Sequence, residues 1–179
     1  MGDLLALACS GRSLTGVLHA AGTGDKGLVV ELAAHRVHWM YAPKAFGAWY
    51  LHSIMPRAPL EAHVLFSSVG SGLGNVGQGN YAAGNACLDA LALSRRAHGV
   101  AATCMQWPLV GGAGMGAAAF ATMQELKLTL TGMAGISLEQ YASCLAPKLS
   151  SCWGAAVSVQ MVHRSDVREL LRDLTQHWG

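Results

Sequence analysis

Charge is scarce in this chain of 179 residues: Asp, Glu, Lys and Arg together make up 12%, about half the share usual in a soluble protein. The net charge is +2 and there is no basic run, so nothing provides an electrostatic footprint for nucleic acid or for an anionic membrane. The five cysteines (Cys9, Cys87, Cys104, Cys144 and Cys152) are odd in number, widely spaced and without a C-x-x-C pair. That spacing argues against a disulfide framework and a zinc site, and no metal is expected; a reducing, cytoplasmic setting fits. The N-terminal apolar run LLALAC is six residues long and follows Asp3 rather than a basic segment, which is too short for a signal peptide or a membrane span. What the chain has in excess is apolar residues, 52% of the total. Either the interior is unusually large or part of the surface is normally covered.

The length suits one domain with a sizeable core. Four apolar runs of strand length lead into glycine or polar turns: 14–21, 61–68, 100–107 and 154–162. Between them lie segments with helical spacing. Leu28 to Met40 is one; Pro43 to Ile54 is a second, with Pro43 suited to the first helical position. Asn80 to His98 ends in Arg95, Arg96 and His98 and stops at Gly99. Ser137 and Gln140 form a capping box for a helix to about Leu149, and Asp166 to His177 reads as a closing amphipathic helix bearing Arg168 and Arg172. Trp39, Trp49 and Tyr50 read as core. Strands alternating with helices of this length imply crossovers and an α/β fold, a doubly wound parallel sheet with helices on both faces.

The dinucleotide pattern G-x-G-x-x-G occurs twice, at Gly22 to Gly27 and at Gly72 to Gly77. With 22 glycines in the chain, about 0.3 chance matches are expected before clustering is considered. Neither match has an acidic residue about 20 positions downstream to hold a ribose. The pattern alone leaves the stretch FSSVGSGLGNVGQGNYAAGNACLDA, Phe66 to Ala90, open as a phosphate cradle, a catalytic loop or a turn.

Tyr81 and Asn85 lie four apart on a predicted helix and so share a face, and Ser68 ends the preceding strand at the carboxyl edge of the sheet. A phenol has a pKa near 10, so proton transfer from one at neutral pH calls for a neighbouring cation. Only four lysines are present (Lys26, Lys44, Lys127 and Lys148), and Lys44 lies in the first turn of the helix that leads to the Ser68 strand.

These residues carry a resemblance. HAAG (19–22), APKAFGAWYLH (42–52), LFSSVGSGLGNVGQGNYAAGNACLDALA (65–92) and the later Trp107, Pro108, Gly114 and Met115 are similar to the ketoreductase domain of polyketide synthases. That domain is a Rossmann-like member of the short-chain dehydrogenase/reductase superfamily, and it departs from most members in placing asparagine four residues after the tyrosine and drawing its lysine from the earlier helix. Lys44, Ser68, Tyr81 and Asn85 stand in the family's order and spacing.

The resemblance implies NADPH-dependent reduction of a β-ketoacyl thioester, carried on acyl carrier protein, to a β-hydroxyacyl thioester in polyketide or related fatty acid biosynthesis. Tyr81 would protonate the ketone oxygen, Ser68 would hold it, Lys44 would serve as the cation beside the phenol and bind the nicotinamide ribose, and Asn85 would anchor a proton-relay water. His19, Ala20, Ala21 and Gly22 would lie against the cofactor, as would Lys44 and Tyr81, with Pro108, Leu109 and Val110 near the nicotinamide. The resemblance covers only the later part of the family's domain, so residues 1–179 are expected to form a single, partial ketoreductase domain whose N-terminal strands are missing. Its partners would then include the missing half or other synthase domains. The rival reading is a truncated, non-catalytic remnant or interaction module of the same fold; a weaker third is a self-contained dinucleotide site at the Gly22 turn. Two stereochemical markers depart from the family: the L-D-D signature falls at Gly24, Asp25 and Lys26, and the tryptophan of the opposite class falls at Leu73.

Overall fold

Apolar runs separated by helices become parallel strands because a strand buried on both faces needs a crossover long enough to return over the sheet. A computed structural model describes residues 14–74, 77–112, 114, 116–117, 121, 135–150 and 157–159. The closing helix expected at Asp166 to His177, with Cys9, Cys152 and Met115, lies outside the described residues. Strands β1 (Gly16–His19), β2 (Ala62–Ser68), β3 (Thr103–Trp107) and β4 (Val157–Val159) form one sheet in the order β1-β2-β3-β4. Every neighbouring pair is parallel, with Leu18 opposite Val64 and Ser68 opposite Trp107.

The alternation of side chains along β2 and β3 divides the interior in two. Leu65 and Cys104 face one side, where they pack with Ala48, Leu88, Leu91 and Ala92. Val64, Met105 and Trp107 face the other, against Ile136, Tyr141, Cys144 and Leu145. Helices α1 (Ala34–Tyr41), α2 (Gly47–Ile54), α3 (Gly70–Leu73), α4 (Gly79–Ala97) and α5 (Leu138–Ser150) complete the layers. Ala48 of α2 and three residues of α4 belong to the first side, and three residues of α5 belong to the second, so the sheet has helices on both faces as expected. Leu65 and Leu88 are fully buried, and truncating either to alanine costs about 2–5 kcal/mol at such positions.

Helix ends follow their sequence signals. His98 closes α4 and Gly99 takes the left-handed conformation with φ 71°. The Ser137 N–H donates to Gln140 Oε1 at 2.9 Å while the Gln140 N–H donates to Ser137 Oγ at 3.3 Å, a reciprocal capping box.

Three expectations need correction. The helix expected from Leu28 starts at Ala34, after a three-residue 3₁₀ turn at Val29–Glu31. Leu28, Leu32 and Ala33 are extended, and the Gly27 N–H is tied to the Gly77 carbonyl, so local helical spacing gives way to a tertiary tether. Pro43 does not begin a new helix. It sits in a five-residue π-turn, Ala42–Phe46, that joins α1 to α2. Proline has no N–H to offer the carbonyl four residues back, and a widened turn absorbs the gap. Trp39, Trp49 and Tyr50 are exposed, at 53%, 61% and 43%. The buried stripe is Met40, Lys44 and Ala48, and at that spacing the aromatics fall on the outer side. With half-exposed Leu18 on β1, they make part of the apolar excess a surface property. No helix among the described residues is long and apolar enough to cross a membrane.

His63 on β2 is 1% exposed and neither ring nitrogen has a hydrogen-bond partner among the described residues. Burial first, then the charges of Arg95, His19 and His52, push its pKa to about 3. The folded state therefore refuses a proton that the unfolded chain takes up below about pH 6.5, and stability falls as pH drops from there towards 3. Between pH 7.5 and pH 5 this one group removes about 2 kcal/mol from the unfolding free energy. Urea denaturation at the two pH values should show that loss, and His63→Leu should abolish this part of it.

Candidate active site

The site begins at the π-turn. Lys44 occupies its middle and is 4% exposed, a rare state for lysine. Its ammonium donates to Asn85 Oδ1 at 3.0 Å and to the Phe66 carbonyl at 3.5 Å, and it stands 5.3 Å from the centre of the Tyr81 ring, over the ring face. Asn85 is fully buried, and its amide donates to the Tyr81 carbonyl one turn back at 2.9 Å. A buried carboxamide with one end on a helix carbonyl has its oxygen fixed as an acceptor. Burial lowers the Lys44 pKa below the ordinary lysine value.

Lys44, Tyr81 and Asn85, from the π-turn and α4, are thus brought together. Ser68 ends β2, two residues after Phe66, and so lies at the same edge. Its hydroxyl accepts the Gly70 N–H at 3.2 Å, in the turn that opens α3. The expected cofactor residues gather at neighbouring strand ends. His19 closes β1 and is buried, with Nε2 3.0 Å from the Lys44 carbonyl. Ala20, Ala21 and Gly22 follow it and are exposed. A methyl group at Gly22 would lie 2.8 Å from Lys44 Cε and 3.0 Å from Nζ, so the backbone there passes close over the ammonium and a side chain would displace the lysine head group. Pro108, Leu109 and Val110 follow β3; the Leu109 carbonyl accepts the Ile136 N–H at 2.8 Å, and Val110 bridges to Ile136.

Spacing alone did not reveal the layer beneath. One turn past Asn85 on α4, Asp89 Oδ2 accepts Gln106 Nε2 at 2.8 Å and lies 2.7 Å from the Ser71 hydroxyl. That hydroxyl is also 2.8 Å from the Ser68 carbonyl. A second cluster joins the loop after Gly22 to the start of α4: Asp25 accepts from Arg36 and from Asn80 Nδ2, and Asn80 Oδ1 accepts the Tyr81 N–H. The hydrogen bond from Arg36, then that from Asn80, holds the Asp25 carboxyl below the usual range. The signal available in sequence was only that Asp89 sits four residues after Asn85.

The first G-x-G-x-x-G does not meet its structural condition. Gly27 leads into the 3₁₀ turn at Val29–Glu31 rather than a helix, so no helix N-terminus stands behind that turn to receive a pyrophosphate. In the second, Asn75 and Val76 lie outside the described residues.

The arrangement supplies a phenol, a hydroxyl and a buried cation at one sheet edge, groups suited to moving a proton to a developing oxyanion. A family profile described as "KR domain" matches residues 4–112. Spectinabilin polyketide synthase system protein NorB of Streptomyces orinoci is 43% identical over 137 residues, covering 76% of this chain and 6% of that protein. Polyketide synthase GfsA of Streptomyces halstedii is 37% identical over 187 residues, covering 97% of this chain and 2% of its own length. Among solved structures, a ketoreductase from the first module of phoslactomycin biosynthesis in a Streptomyces superposes with TM-score 0.75 at 32% identity, covering 88% of this chain and 36% of that one. The first ketoreductase of the tylosin synthase gives 0.69 at 32% identity, covering 88% and 34%. The chain therefore spans a small part of the curated relatives and about a third of each ketoreductase structure.

Asn85→Leu removes the carboxamide that faces the buried ammonium. We expect it to lower stability by about 1–3 kcal/mol at pH 7. The loss should shrink as pH rises through the folded-state pKa of Lys44, because a neutral amine needs the acceptor less. Urea unfolding of both proteins at pH 7 and pH 10 measures the difference; an equal loss at both would show that Asn85 does not serve the charge.

Proposed function

Because the chain belongs to the KR domain family, we propose that it performs NADPH-dependent reduction of a β-ketoacyl thioester, carried on acyl carrier protein, to the β-hydroxyacyl thioester in polyketide biosynthesis. The observation that carries this reading is the convergence of the Lys44 ammonium, Asn85 and the Tyr81 ring at the carboxyl edge of a parallel sheet, where such folds bind ligands.

The residues present fit the nicotinamide half of a dinucleotide. Ala20, Ala21 and Gly22 offer an exposed rim without bulky side chains beside the ammonium, and Pro108 to Val110 border it across β2. In a bound dinucleotide the reduced nicotinamide supplies the hydride. The chain's own part is the other half of the reaction. As the carbonyl carbon accepts the hydride pair, the C=O π electrons move onto oxygen, and the Tyr81 O–H gives its proton to that oxygen. The Ser68 hydroxyl donates to the same oxygen and stabilises the charge while it develops. Lys44 stabilises the phenolate left behind and holds the ribose hydroxyls. Asn85 fixes the ammonium through Oδ1 and, in this scheme, orders the water that returns a proton to the tyrosine.

The second reading, a non-catalytic module of the same fold, is favoured by one observation: the first glycine fingerprint has no helix behind it to take a pyrophosphate. The two readings separate in one experiment. NADPH fluorescence titration of the folded chain, followed by assay with a β-ketoacyl thioester, should give saturable binding and thioester-dependent NADPH oxidation. Tyr81→Phe should then reduce kcat by about 10²–10⁴ while leaving NADPH affinity within about twofold. Turnover by Tyr81→Phe at the wild-type rate would overturn the assignment, and a folded chain that binds no NADPH would be the non-catalytic module.

A further inference from the structure

We propose that His19 is a positioning residue for Lys44, acting through the lysine's backbone carbonyl rather than on substrate or cofactor. The His19 ring is 6% exposed and its Nε2 lies 3.0 Å from the Lys44 carbonyl oxygen, a contact between β1 and the π-turn across 25 residues of chain. A carbonyl oxygen can only accept, so Nε2 carries the hydrogen. Burial lowers the pKa of this imidazole below its ordinary value, so the neutral ring keeps that N–H.

The contact has a mechanical reason. Pro43 interrupts the helical ladder, and the chain crosses the gap with a π-turn, a conformation seldom stable by itself. The turn's register decides where residue 44 points: a shift of one residue rotates a helical side chain by about 100°. In the observed register Lys44 is directed inward to Asn85 and the Tyr81 ring face, while Phe46 and Trp49 on the same rod are exposed. The Gly47 N–H also reaches the Ala42 and Lys44 carbonyls, so the helix's own bonds leave two registers in competition. The bond from His19 comes from outside the helix and grips the middle carbonyl. Gly47 makes room for it: a methyl group there would lie 3.2 Å from His19 Cε1 and 3.8 Å from Nε2.

The catalytic meaning of this rests on the role proposed for Lys44, but its test needs neither cofactor nor ketone. The amine is exposed to a water-soluble acylating reagent under limiting conditions at fixed pH, and peptide mass spectrometry reads the labelling rate at each lysine. Lys26, Lys127 and Lys148 serve as internal references. In the wild-type chain Lys44 should label at least tenfold more slowly than exposed Lys26. His19→Ala should raise the Lys44 rate about five- to tenfold with the reference rates unchanged, and His19→Gln, which keeps an N–H donor, should restore most of the protection. Gly47→Ala, which crowds the ring while leaving His19 in place, should raise the rate two- to fivefold and provides the second variant should His19→Ala fail to fold. The proposal fails if His19→Ala leaves Lys44 protected, if His19→Gln labels as fast as His19→Ala, or if Gly47→Ala alone is folded and unchanged. A loss of turnover without any of these labelling changes would concern the reduction and not the positioning.

Discussion

The burial of one ammonium group organises this protein. Taking a lysine head group out of water carries a penalty of several kcal/mol unless dipoles replace the lost hydration. Lys44 meets a carboxamide oxygen, a peptide carbonyl and the face of a phenol ring, all uncharged. A carboxylate at position 85 would form an ion pair and neutralise the cation; asparagine holds it in place beside the Tyr81 ring without cancelling its charge. That one requirement explains several neighbours. Asn85 must be buried with its amide end engaged, which the Tyr81 carbonyl provides. A side chain at position 22 would push the lysine head group from its place, and the lysine itself stands in the middle of the π-turn Ala42–Phe46.

The helix that carries Asn85, α4, repeats the device with a carboxylate. Asp89, one turn beyond Asn85, receives Gln106 from β3 and the Ser71 hydroxyl from the turn after Ser68. The Ser67 hydroxyl donates to the Asn85 carbonyl at 3.3 Å. Two consecutive serines on β2 therefore diverge: Ser67 fastens the strand to α4, and Ser68 stays at the rim with its carbonyl beside Ser71. α4 thus carries both a cation holder and an anion, and each ties it to a different strand. The result is a corner at the strand ends in which β2, β3 and α4 are cross-tied by hydrogen bonds.

Much of the fold was legible because period and punctuation agree. β2, α4 and the capping box at Ser137 follow from an apolar run of strand length, a glycine stop and hydrogen-bonding side chains read in place. The errors come where a distant contact overrides local preference. Nothing near Leu28 announces that Gly27 will be tied to Gly77, so the helical spacing from 28 to 33 is misleading. Pro43 reads as a helix start because proline is suited to that position, yet here the rod continues and the missing donor is absorbed by a wider turn. The tryptophans at 39 and 49 read as core by residue type alone, whereas a buried lysine claims the inner stripe between them. For the site, spacing placed Tyr81 and Asn85 on one face, but it could not join them to Lys44, which reaches them across 41 residues. That link came from family resemblance. Asp89 and Asp25 were missed because a carboxylate in a single sequence looks like a solvated one until its partners are known.

Asp25 has a structural task of its own in the loop after β1. It stands in the middle of the segment that would carry the L-D-D signature, and its carboxylate is engaged by Arg36 and Asn80. Asn80 in turn receives the Tyr81 N–H. The loop beyond β1 and the first turn of the tyrosine's helix are therefore linked through Asp25. Lys26, where the signature's last aspartate would fall, is exposed, and only its backbone takes part, donating to Asp25 and accepting from Arg36. A lysine for an aspartate there inverts the charge at an exposed position while leaving the Asp25 contacts intact. The two neighbouring positions answer to different constraints: residue 25 ties the loop after β1 to Asn80 at the start of α4, and residue 26 presents an exposed side chain to solvent.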